Sequence, residues 1–414
     1  MKTEVWPIQT ATACKLKWAW STLYLNRGTT ASCHRTADSN LDADNFFNFH
    51  NTDIKLQDRQ NMLAGKWPEK NCSYCKSVED VGGTSDRMRQ LSVPYTIPPE
   101  LQYDHEAVNV SPTLLEVYFN NTCNLSCLYC SPSLSSSIQA ENQKHGEFKQ
   151  GKVWLKNTDS HFKDLVPYFW EWFAEKFSTI SRFHVLGGEP FYQKEFEKLL
   201  DMIDRYPNPE CILNIVTNLA ISTERLEQLV GKLKSLLKQK KLKRIDITCS
   251  IDCWGPQQEY VRWGLNLVEW EKNFTYLLSQ KYLYLTINQT ISTLTIKTMP
   301  DLLEKLVAWR KIRKIGHWFS GVEPGPEYLK AFKLPGHVFE QDRDSILSLM
   351  PQDTQENQLA YEYMLGVFKQ ICQPEHDPDD IRDLIVFLDE KDRRHGTSWE
   401  TLFPWLVEYR KYVV

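Results

Sequence analysis

The sequence predicts an α/β protein built on a partial (β/α)6 TIM-like barrel, with a Cys-rich domain before the barrel and a helical region after it. Six short apolar runs alternate with five longer amphipathic runs between about residues 114 and 322. Seven of the eleven cysteines fall in the first third of the chain, where such alternation is absent. Beyond residue 322 the alternation stops. We therefore expect three domains, with residue ranges 1–105, 106–322 and 323–414.

The N-terminal domain, residues 1–105, is defined by four cysteines and by the linker that follows them. The cysteines lie at Cys14, Cys33, Cys72 and Cys75, and the segment 92–100 contains three prolines. Residues that precede proline avoid the helical conformation, so this segment is typical of a linker. Four thiolates suit a zinc site or an iron-sulfur cluster equally well, and incidental thiols are a third possibility.

The barrel domain, residues 106–322, is predicted from alternating strands and helices. Such alternation is typical of repeated βαβ units, whose strands are parallel. The strand count falls short of eight, so the barrel is expected to be incomplete. The predicted strands are 114–119, 182–187, 212–217, 244–251, 283–288 and 317–322, and the predicted helices are 160–177, 192–206, 222–239, 264–280 and 298–311.

The C-terminal region, residues 323–414, begins with several prolines and then has two helical patterns, near 355–373 and 398–412. We expect this region to be helical and to pack on the barrel.

Composition and charge exclude several function classes. The chain has 414 residues, of which 49 are basic and 53 acidic, giving a net charge of −4. No electrostatic field therefore attracts nucleic acid, and no apolar stretch approaches the roughly 18 residues of a membrane-spanning helix. The N-terminus has neither the basic nor the apolar part of a secretory signal. We expect a cytoplasmic protein with no membrane partner and no nucleic-acid partner.

A three-cysteine loop directly follows the first predicted strand of the barrel. Cys123, Cys127 and Cys130 lie within eight residues. Active sites of such barrels form at the C-terminal ends of the strands, so the loop stands where chemistry is expected. No fourth Cys or His is near in sequence, whereas a structural zinc site is normally closed by four protein ligands. An open trio favours a reactive centre, such as a [4Fe-4S] cluster with an exogenous ligand, over three unliganded thiols.

The C-x-x-x-C-x-x-C spacing, with Tyr129 before the last cysteine, resembles the signature of the radical SAM superfamily. The resemblance implies that Cys123, Cys127 and Cys130 hold a [4Fe-4S] cluster whose unique iron binds the amino and carboxylate groups of S-adenosylmethionine (SAM). It also implies that one electron cleaves SAM and that the resulting 5'-deoxyadenosyl radical abstracts hydrogen from a substrate.

The same resemblance assigns SAM contacts to residues at successive strand ends. For each of them a structural role is the alternative, because polar residues after a strand often cap the next helix and Gly-Gly-X-Pro turns are common. For Arg262 the alternative is a solvated helix face. The cofactor-binding residues expected on this basis are Tyr129, Gly187, Gly188, Glu189, Thr217, Asn218, Ser250, Asp252, Asn288 and Arg262.

The N-terminal cysteines, with Gly28 between the first two, resemble the twitch or SPASM-type module of radical SAM peptide maturases. This resemblance implies an auxiliary [4Fe-4S] cluster on Cys14, Cys33, Cys72 and Cys75. Such modules usually follow the barrel, whereas these cysteines precede it, which leaves the position of the module relative to the active site open.

The resemblance implies a maturase that acts on a ribosomally synthesised precursor peptide. The run 247–255 is similar to spliceases, which excise tyramine and leave an α-keto-β-amide in the backbone. Thioether or carbon-carbon crosslinking and epimerisation are alternatives within the same class. The alternative from another class is a four-cysteine zinc interaction module fused to an α/β domain. The expected partners are the peptide, an external electron donor and a separate leader-peptide recognition protein.

Overall fold

The structure is a computed structural model that describes residues 6–157, 162–322, 325–371 and 377–413. It is a mixed α/β fold with a central sheet of mostly parallel strands, as the sequence predicts. The strands of the described residues are β1 (Trp20–Tyr24), β2 (Thr29–Ala31), β3 (Ser39–Asn40), β4 (Leu114–Tyr118), β5 (Ser126–Cys127), β6 (Phe148–Gln150), β7 (Val153–Leu155), β8 (Arg182–Leu186), β9 (Asn208–Thr217), β10 (Leu242–Ser250), β11 (Arg262–Trp263), β12 (Tyr284–Ile291) and β13 (Gly316–Gly321).

Helices alternate with many of these strands along the chain. The α-helices of the described residues are α1 (Lys15–Ala19), α2 (Asp53–Leu63), α3 (Ser73–Asp80), α4 (Asp86–Ser92), α5 (Ser136–His145), α6 (Phe162–Lys176), α7 (Lys194–Arg205), α8 (Thr223–Lys238), α9 (Pro256–Val261), α10 (Leu267–Ser279), α11 (Met299–Arg310), α12 (Glu340–Leu349), α13 (Gln355–Ile371), α14 (Pro378–His395) and α15 (Trp399–Leu402).

The main sheet has nine strands in the order β13-β12-β10-β9-β8-β4-β1-β2-β3. The six predicted barrel strands are all present as β4, β8, β9, β10, β12 and β13, and the five predicted helices between them are α6, α7, α8, α10 and α11. Strands β4 and β8 pair in parallel, and so do β8 and β9, β10 and β12, and β12 and β13. Helical connections between them permit this parallel pairing.

The N-terminal residues also contribute to this sheet, which the sequence did not indicate. Strand β1 pairs in parallel with β4, and β2 and β3 continue from β1 as antiparallel strands. These three strands have five residues or fewer. Strands β2 and β3 are too short to show a period in the sequence, and β1 pairs with a strand about 90 residues away, which no local pattern indicates.

Compactness divides the chain into two units. Unit 1 comprises Met1–Asn120, Asp159–Ile215 and Lys232–Ile245, and unit 2 comprises Asn121–Thr158, Val216–Gly231 and Asp246–Val414. The divisions therefore fall within β9, α8 and β10. The three domains expected from sequence remain a prediction, and the two units are described separately below.

In unit 1 one face of the sheet is apolar and fully buried. Leu115 and Val117 of β4 lie on either side of Glu116, and Phe183 and Val185 of β8 lie on either side of His184. A stack of aromatic rings supports the packing, with the centroids of Phe173 and Phe177 4.3 Å apart. Burial of each such side chain contributes about 1.5–3 kcal/mol. This face anchors the strands, and it leaves the opposite face available for polar side chains.

In unit 2 the core includes a cluster of aromatic side chains on α10 and α11. Trp270 stacks on Phe274 with ring centroids 5.1 Å apart, and Trp309 lies 4.6 Å from Phe274. The C-terminal region is helical, as predicted. The segment predicted as a helix near 398–412 consists of α15 followed by a 3-10 helix, Pro404–Tyr412.

Helix α14 was not predicted from the sequence. It has 18 residues, begins after the N-cap Asp377 and ends at Gly396, whose φ of 69° is left-handed. Its many charged residues obscure the apolar positions, among them Ile381, Leu384 and Leu388, all of which are buried. Among the helices of the described residues, none combines the length and apolarity needed to cross a bilayer.

Candidate functional site

The three-cysteine loop of unit 2 is a tightly hydrogen-bonded turn. Cys127 lies in β5, where it is the register partner of Arg262 in β11. The backbone N–H of Cys130 donates to the carbonyl of Cys127 at 3.0 Å. The N–H of Cys123 donates to the hydroxyl of Ser136 at 3.1 Å, at the start of α5. The loop is therefore fixed at both ends by backbone contacts, independently of its thiols.

The three thiols of this loop are all at least partly buried. Cys123, Cys127 and Cys130 form no disulfide, and Cys127 is buried. Burial raises the pKa of the Cys127 thiol, and the charges of Cys130 and Cys123 add to this effect, whereas Arg262 opposes it. The three sulfurs are thus within electrostatic reach of one another.

The three thiols of this loop are the donor atoms to consider for a metal centre. Within the described residues, no group of three or more His, Cys, Asp or Glu side chains is arranged to hold a metal ion. The ligand atoms of the loop nevertheless suit a [4Fe-4S] cluster. Three thiols that form no disulfide lie within eight residues, and thiolates are the ligands of such clusters. Cys123, Cys127 and Cys130 are the residues that would hold it.

Beside the loop, Asp252, Arg262 and Tyr129 form a buried polar network. The guanidinium of Arg262 donates to both carboxylate oxygens of Asp252, at 2.8 and 2.9 Å. The hydroxyl of Tyr129 donates to the same carboxylate at 2.6 Å. A two-pronged charged contact of this kind is strong and directional. Because Tyr129 precedes Cys130 and Arg262 pairs with Cys127, the network positions the cysteine loop.

A second layer of hydrogen bonds extends from this network into strands β12 and β13. The side-chain amide of Gln289 donates to the carbonyl of Asp252 at 2.7 Å. Its oxygen therefore accepts from Nε2 of His317, 2.9 Å away, which assigns the proton to that nitrogen. Burial, with a smaller effect of Arg310, lowers the pKa of His317 to about 3. The imidazole is consequently neutral near pH 7.

Asn218 also contacts the loop. Its amide nitrogen lies 3.1 Å from Oδ1 of Asn124 and 3.8 Å from the sulfur of Cys123. Its oxygen accepts from the N–H of Ala220, while the hydroxyl of Thr217 accepts from the N–H of Leu219. Thr217 and Asn218 therefore stabilise the turn after β9, and Asn218 brings that turn to Cys123.

Ser250 ends β10, and Asn288 lies beside it within β12, which continues three residues further to Ile291. They are register partners in the parallel ladder. Oδ1 of Asn288 accepts from the hydroxyl of Ser320 at 2.9 Å, and Ser250 is buried. Two sets of predicted site residues therefore come together in unit 2. Cys123 lies near Asn218. Cys127 and Tyr129 lie beside Asp252 and Arg262.

Gly187, Gly188 and Glu189 belong to unit 1. The φ angles of the two glycines are 84° and 59°, and a Cβ on Gly187 would lie 2.3 Å from Cδ1 of Tyr118. Only glycine fits there. The carboxylate of Glu189 caps a short 3-10 helix by accepting from the N–H of Phe191 at 3.1 Å. The contact of these three residues with a cofactor remains a prediction.

Helix α14 buttresses the cysteine loop, a feature that the sequence did not reveal. Lys391 of α14 donates to Glu141 of α5 at 2.9 Å, and His395 lies 2.8 Å from the same carboxylate. The ring of His395 stacks on Trp263 of β11 with a centroid distance of 4.4 Å. Burial raises the pKa of the Cys130 thiol, and the charge of Lys391 counteracts this. No sequence spacing links α14 to the loop, so only the fold could reveal this contact.

The N-terminal cysteines lie together in unit 1. Cys14 is part of an apolar cluster against which Cys33 and Cys72 pack. Burial raises the pKa of Cys14 to about 12, and the charges of Cys33 and Cys72 contribute. Beside them, the buried ammonium of Lys17 pairs with Asp58 at 2.5 Å. The four free thiols, including Cys75 at the start of α3, thus match the donor chemistry of a zinc site or a cluster.

Comparisons with known proteins gave matches only among solved structures. No family model and no curated protein matches this chain. One match is the crystal structure of Streptococcus suis SuiB bound to S-adenosylmethionine, which is 15% identical to this chain. The match covers 74% of this chain and 65% of that chain, with a TM-score of 0.36. The structure of the same protein bound to "precursor peptide SuiA" is 13% identical over 81% of this chain and 64% of that chain, with a TM-score of 0.36.

A third match is coproporphyrinogen III oxidase (HemN) from Escherichia coli, a radical SAM enzyme. It is 11% identical, with 62% of this chain and 52% of that chain covered and a TM-score of 0.33. This chain thus spans between half and two thirds of the length of these three structures.

Proposed function

We propose that this protein is a radical SAM enzyme. The observation that carries the proposal is the C-x-x-x-C-x-x-C loop, whose second cysteine pairs with Arg262 and whose Tyr129 is bound to Asp252. When bound, a [4Fe-4S] cluster with SAM supplies one electron that cleaves SAM to methionine and a 5'-deoxyadenosyl radical. The role of Cys123, Cys127 and Cys130 is to hold that cluster.

The remaining residues of the candidate site would bind and orient SAM. Gly187, Gly188 and Glu189 present backbone and carboxylate acceptors for an ammonium group. Hydroxyl, amide and charged side chains suited to the ribose and carboxylate are those of Thr217, Asn218, Ser250, Asp252, Asn288 and Arg262. The Asp252–Arg262 pair satisfies both partners internally. We therefore propose that the main role of these two residues is to position the loop, and that contact with SAM is secondary.

We propose further that the substrate is a ribosomally synthesised precursor peptide. The resemblance of the cysteine motifs to peptide maturases supports this, and the similarity of 247–255 to spliceases extends it to excision of tyramine with formation of an α-keto-β-amide. Crosslinking and epimerisation are the alternative outcomes. An external electron donor, and a separate protein that recognises the leader peptide, would act with the enzyme in the cytoplasm.

The auxiliary [4Fe-4S] cluster is part of the same proposal. Cys14, Cys33, Cys72 and Cys75 are free and lie in one unit, which supports a four-thiolate site. Zinc in this site remains the alternative.

The proposal is tested by SAM cleavage after anaerobic reconstitution with iron and sulfide. Reduced protein should convert SAM to 5'-deoxyadenosine, and Cys127→Ala should abolish this, because an incomplete cluster cannot present its unique iron. Cys211→Ala, which removes a buried thiol of β9 outside the loop, is the matched control and should retain activity. Equal cleavage by both variants would contradict the proposal.

The substrate class is tested with a deuterated precursor peptide. Deuterium should pass from the peptide into 5'-deoxyadenosine, because the radical takes its hydrogen from an amino-acid residue. A product shortened by the mass of tyramine would support the splicease, and loss of two hydrogens would indicate a crosslink. Activity on a small metabolite alone would refute a peptide substrate.

A further inference from the structure

A row of polar side chains crosses four parallel strands of unit 1. Thr22 of β1 is the register partner of Glu116 in β4, Glu116 is the partner of His184 in β8, and His184 is the partner of Asn214 in β9. Side chains in register on adjacent parallel strands lie on the same face of the sheet. The opposite face carries the buried apolar residues described above, so this row occupies the other face.

Glu116 is the centre of the row, and within the described residues its buried carboxyl group forms no hydrogen-bonded ion pair. Its side chain is 4% exposed. It accepts one hydrogen bond in the described part of the chain, from the hydroxyl of Thr22 at 3.1 Å. Two imidazoles approach it without hydrogen bonding: Nδ1 of His34 at 3.8 Å and Nδ1 of His184 at 3.9 Å. A buried carboxylate normally requires a positive partner, so this arrangement is incomplete.

The nearby arginines do not supply that partner. Arg27 donates to Asp38 at 2.7 Å and stacks over Tyr24. Arg182 lies two residues before His184 in β8, and it forms no ion pair with Glu116 within the described residues. Burial raises the pKa of Glu116, and His34 and Thr22 reduce this effect.

The surroundings of Glu116 are rich in hydrogen-bond acceptors and aromatic rings. His184 is neutral near pH 7, because burial lowers its pKa to about 3, and a neutral imidazole brings one acceptor nitrogen. The ring of Trp20 lies edge-on to His34 and to His184, with centroids 5.4 and 5.7 Å away. Tyr24 and Tyr118 follow on the same face, with ring centroids 4.6 Å apart. Aromatic rings beside a carboxylate favour a cation.

The face also opens to solvent. The side chain of His34 is 56% exposed and that of His184 is 19% exposed. Tyr24 and Tyr118 are half-buried. A ligand can therefore approach the carboxylate from the side of His34.

From these observations we propose that Glu116, with His34, His184 and the rings of Trp20, Tyr24 and Tyr118, forms a binding subsite for an amine or guanidine group of a ligand. The ligand supplies N–H donors and a positive charge to the Glu116 carboxylate, which within the described residues accepts a hydrogen bond from Thr22 alone. If the proposed function holds, the cation is a side chain of the peptide substrate, but the subsite itself does not depend on SAM chemistry.

The test uses small probes and the whole protein without reconstitution. n-Butylguanidinium and n-butylammonium are titrated into protein with ¹³C-labelled histidine, and n-butylurea is the uncharged analogue. The cations should cause saturable shifts of the His34 and His184 resonances, assigned with His34→Gln and His184→Gln, whereas n-butylurea should not. Glu116→Gln should weaken cation binding about tenfold or more, because it removes the charge from the hydrogen bond.

Controls separate binding from folding. Glu210→Gln changes an exposed glutamate of β9 in the same unit and should leave binding unchanged. Thermal unfolding establishes that Glu116→Gln folds, and if it does not, Glu116→Asp should fold and bind the cations more weakly. A capped arginine tripeptide compared with its citrulline analogue shows whether a peptide can carry the cation. Absence of saturable shifts with every cation, or equal binding of n-butylurea, would overturn the proposal.

Discussion

At the scale of single residues, the polar side chains of the candidate site form most of their hydrogen bonds with other residues of the protein. Asp252 accepts from Arg262 and Tyr129 and also from the N–H of Thr290 at 2.9 Å. Such a carboxylate has little capacity left for a ligand. Its replacement should therefore affect the stability of the loop before it affects the affinity for SAM.

Asp252→Asn should be strongly destabilising, because it leaves the buried guanidinium of Arg262 without a full negative charge. Removal of one partner of a buried ion pair costs about 3–5 kcal/mol, and the retained side-chain volume of Asn reduces this loss. Urea unfolding of the protein without metal measures the effect. Asp204→Asn, at an exposed carboxylate in α7, is the control. Equal stability of the two variants would show that the Asp252 network does not hold the loop.

His317 makes stability depend on pH. Its folded pKa of about 3 lies below the ordinary value near 6.5, so near pH 5 the unfolded chain binds a proton that the folded chain does not. The stability from this residue is complete above about pH 6.5 and is lost as the pH falls toward 3. Its slope near pH 5 is about 1.4 kcal/mol per pH unit for one proton.

The measurement is the free energy of unfolding between pH 7 and pH 5 for the wild type and for His317→Gln. The variant should have a shallower slope by about one proton, whatever its absolute stability. An unchanged slope would mean that the imidazole is not held neutral. Other buried imidazoles, such as His50 and His184, retain their own contributions in both proteins.

At the scale of elements, the structure separates what sequence patterns can predict from what they cannot. Strands β4 and β8 begin at the predicted residues because alternation and flanking turns mark them clearly. Helix α14 escaped prediction because charged residues interrupt its apolar period, including buried ones such as Asp383 and Lys391. The register of β1 with β4 depends on contacts across about 90 residues, and no local pattern encodes it.

The candidate site shows the same division. The cysteines are identified by their spacing and the strand-end residues by the resemblance to the radical SAM superfamily, and their contact with a cofactor stays a prediction. The pairing of Asp252 with Arg262, and the approach of Lys391 to the loop, could not be found in that way, because each depends on how separate elements pack. Likewise, the sequence shows Glu116 only as one polar residue in a buried strand. Its surroundings become clear only when its neighbours in register are known.

Helix α14 should contribute to the stability of the cysteine loop through Lys391. Lys391→Met removes a buried hydrogen-bond donor to Glu141, whose carboxylate keeps its contact with His395. We expect the free energy of unfolding in urea to fall by about 1–3 kcal/mol. Lys243→Met breaks the exposed pair with Glu210 and should change stability by less than about 1 kcal/mol. If Lys391→Met were no more destabilising than Lys243→Met, α14 would not support the loop through this contact.

At the scale of the whole molecule, the two cysteine sets predict the metal content of the reconstituted protein. Two [4Fe-4S] clusters correspond to about eight irons per chain, and Cys123→Ala/Cys127→Ala/Cys130→Ala should retain about four. Metal analysis with iron and zinc quantitation decides the result. Zinc in place of the residual iron would replace the auxiliary cluster by a zinc site, and eight irons in the triple variant would exclude the loop as a cluster ligand.

The parallel pairing of β1 with β4 also governs how the chain can fold during synthesis. Trp20 pairs with Leu114, so β1 leaves the ribosome long before its partner exists. At translation rates of about 5–20 residues per second, the delay is roughly 5–20 seconds. Cys14 is synthesised just before that interval, and Cys33, Cys72 and Cys75 are synthesised within it. These thiols are consequently accessible to metal delivery, oxidation or chaperones before the sheet can close over them.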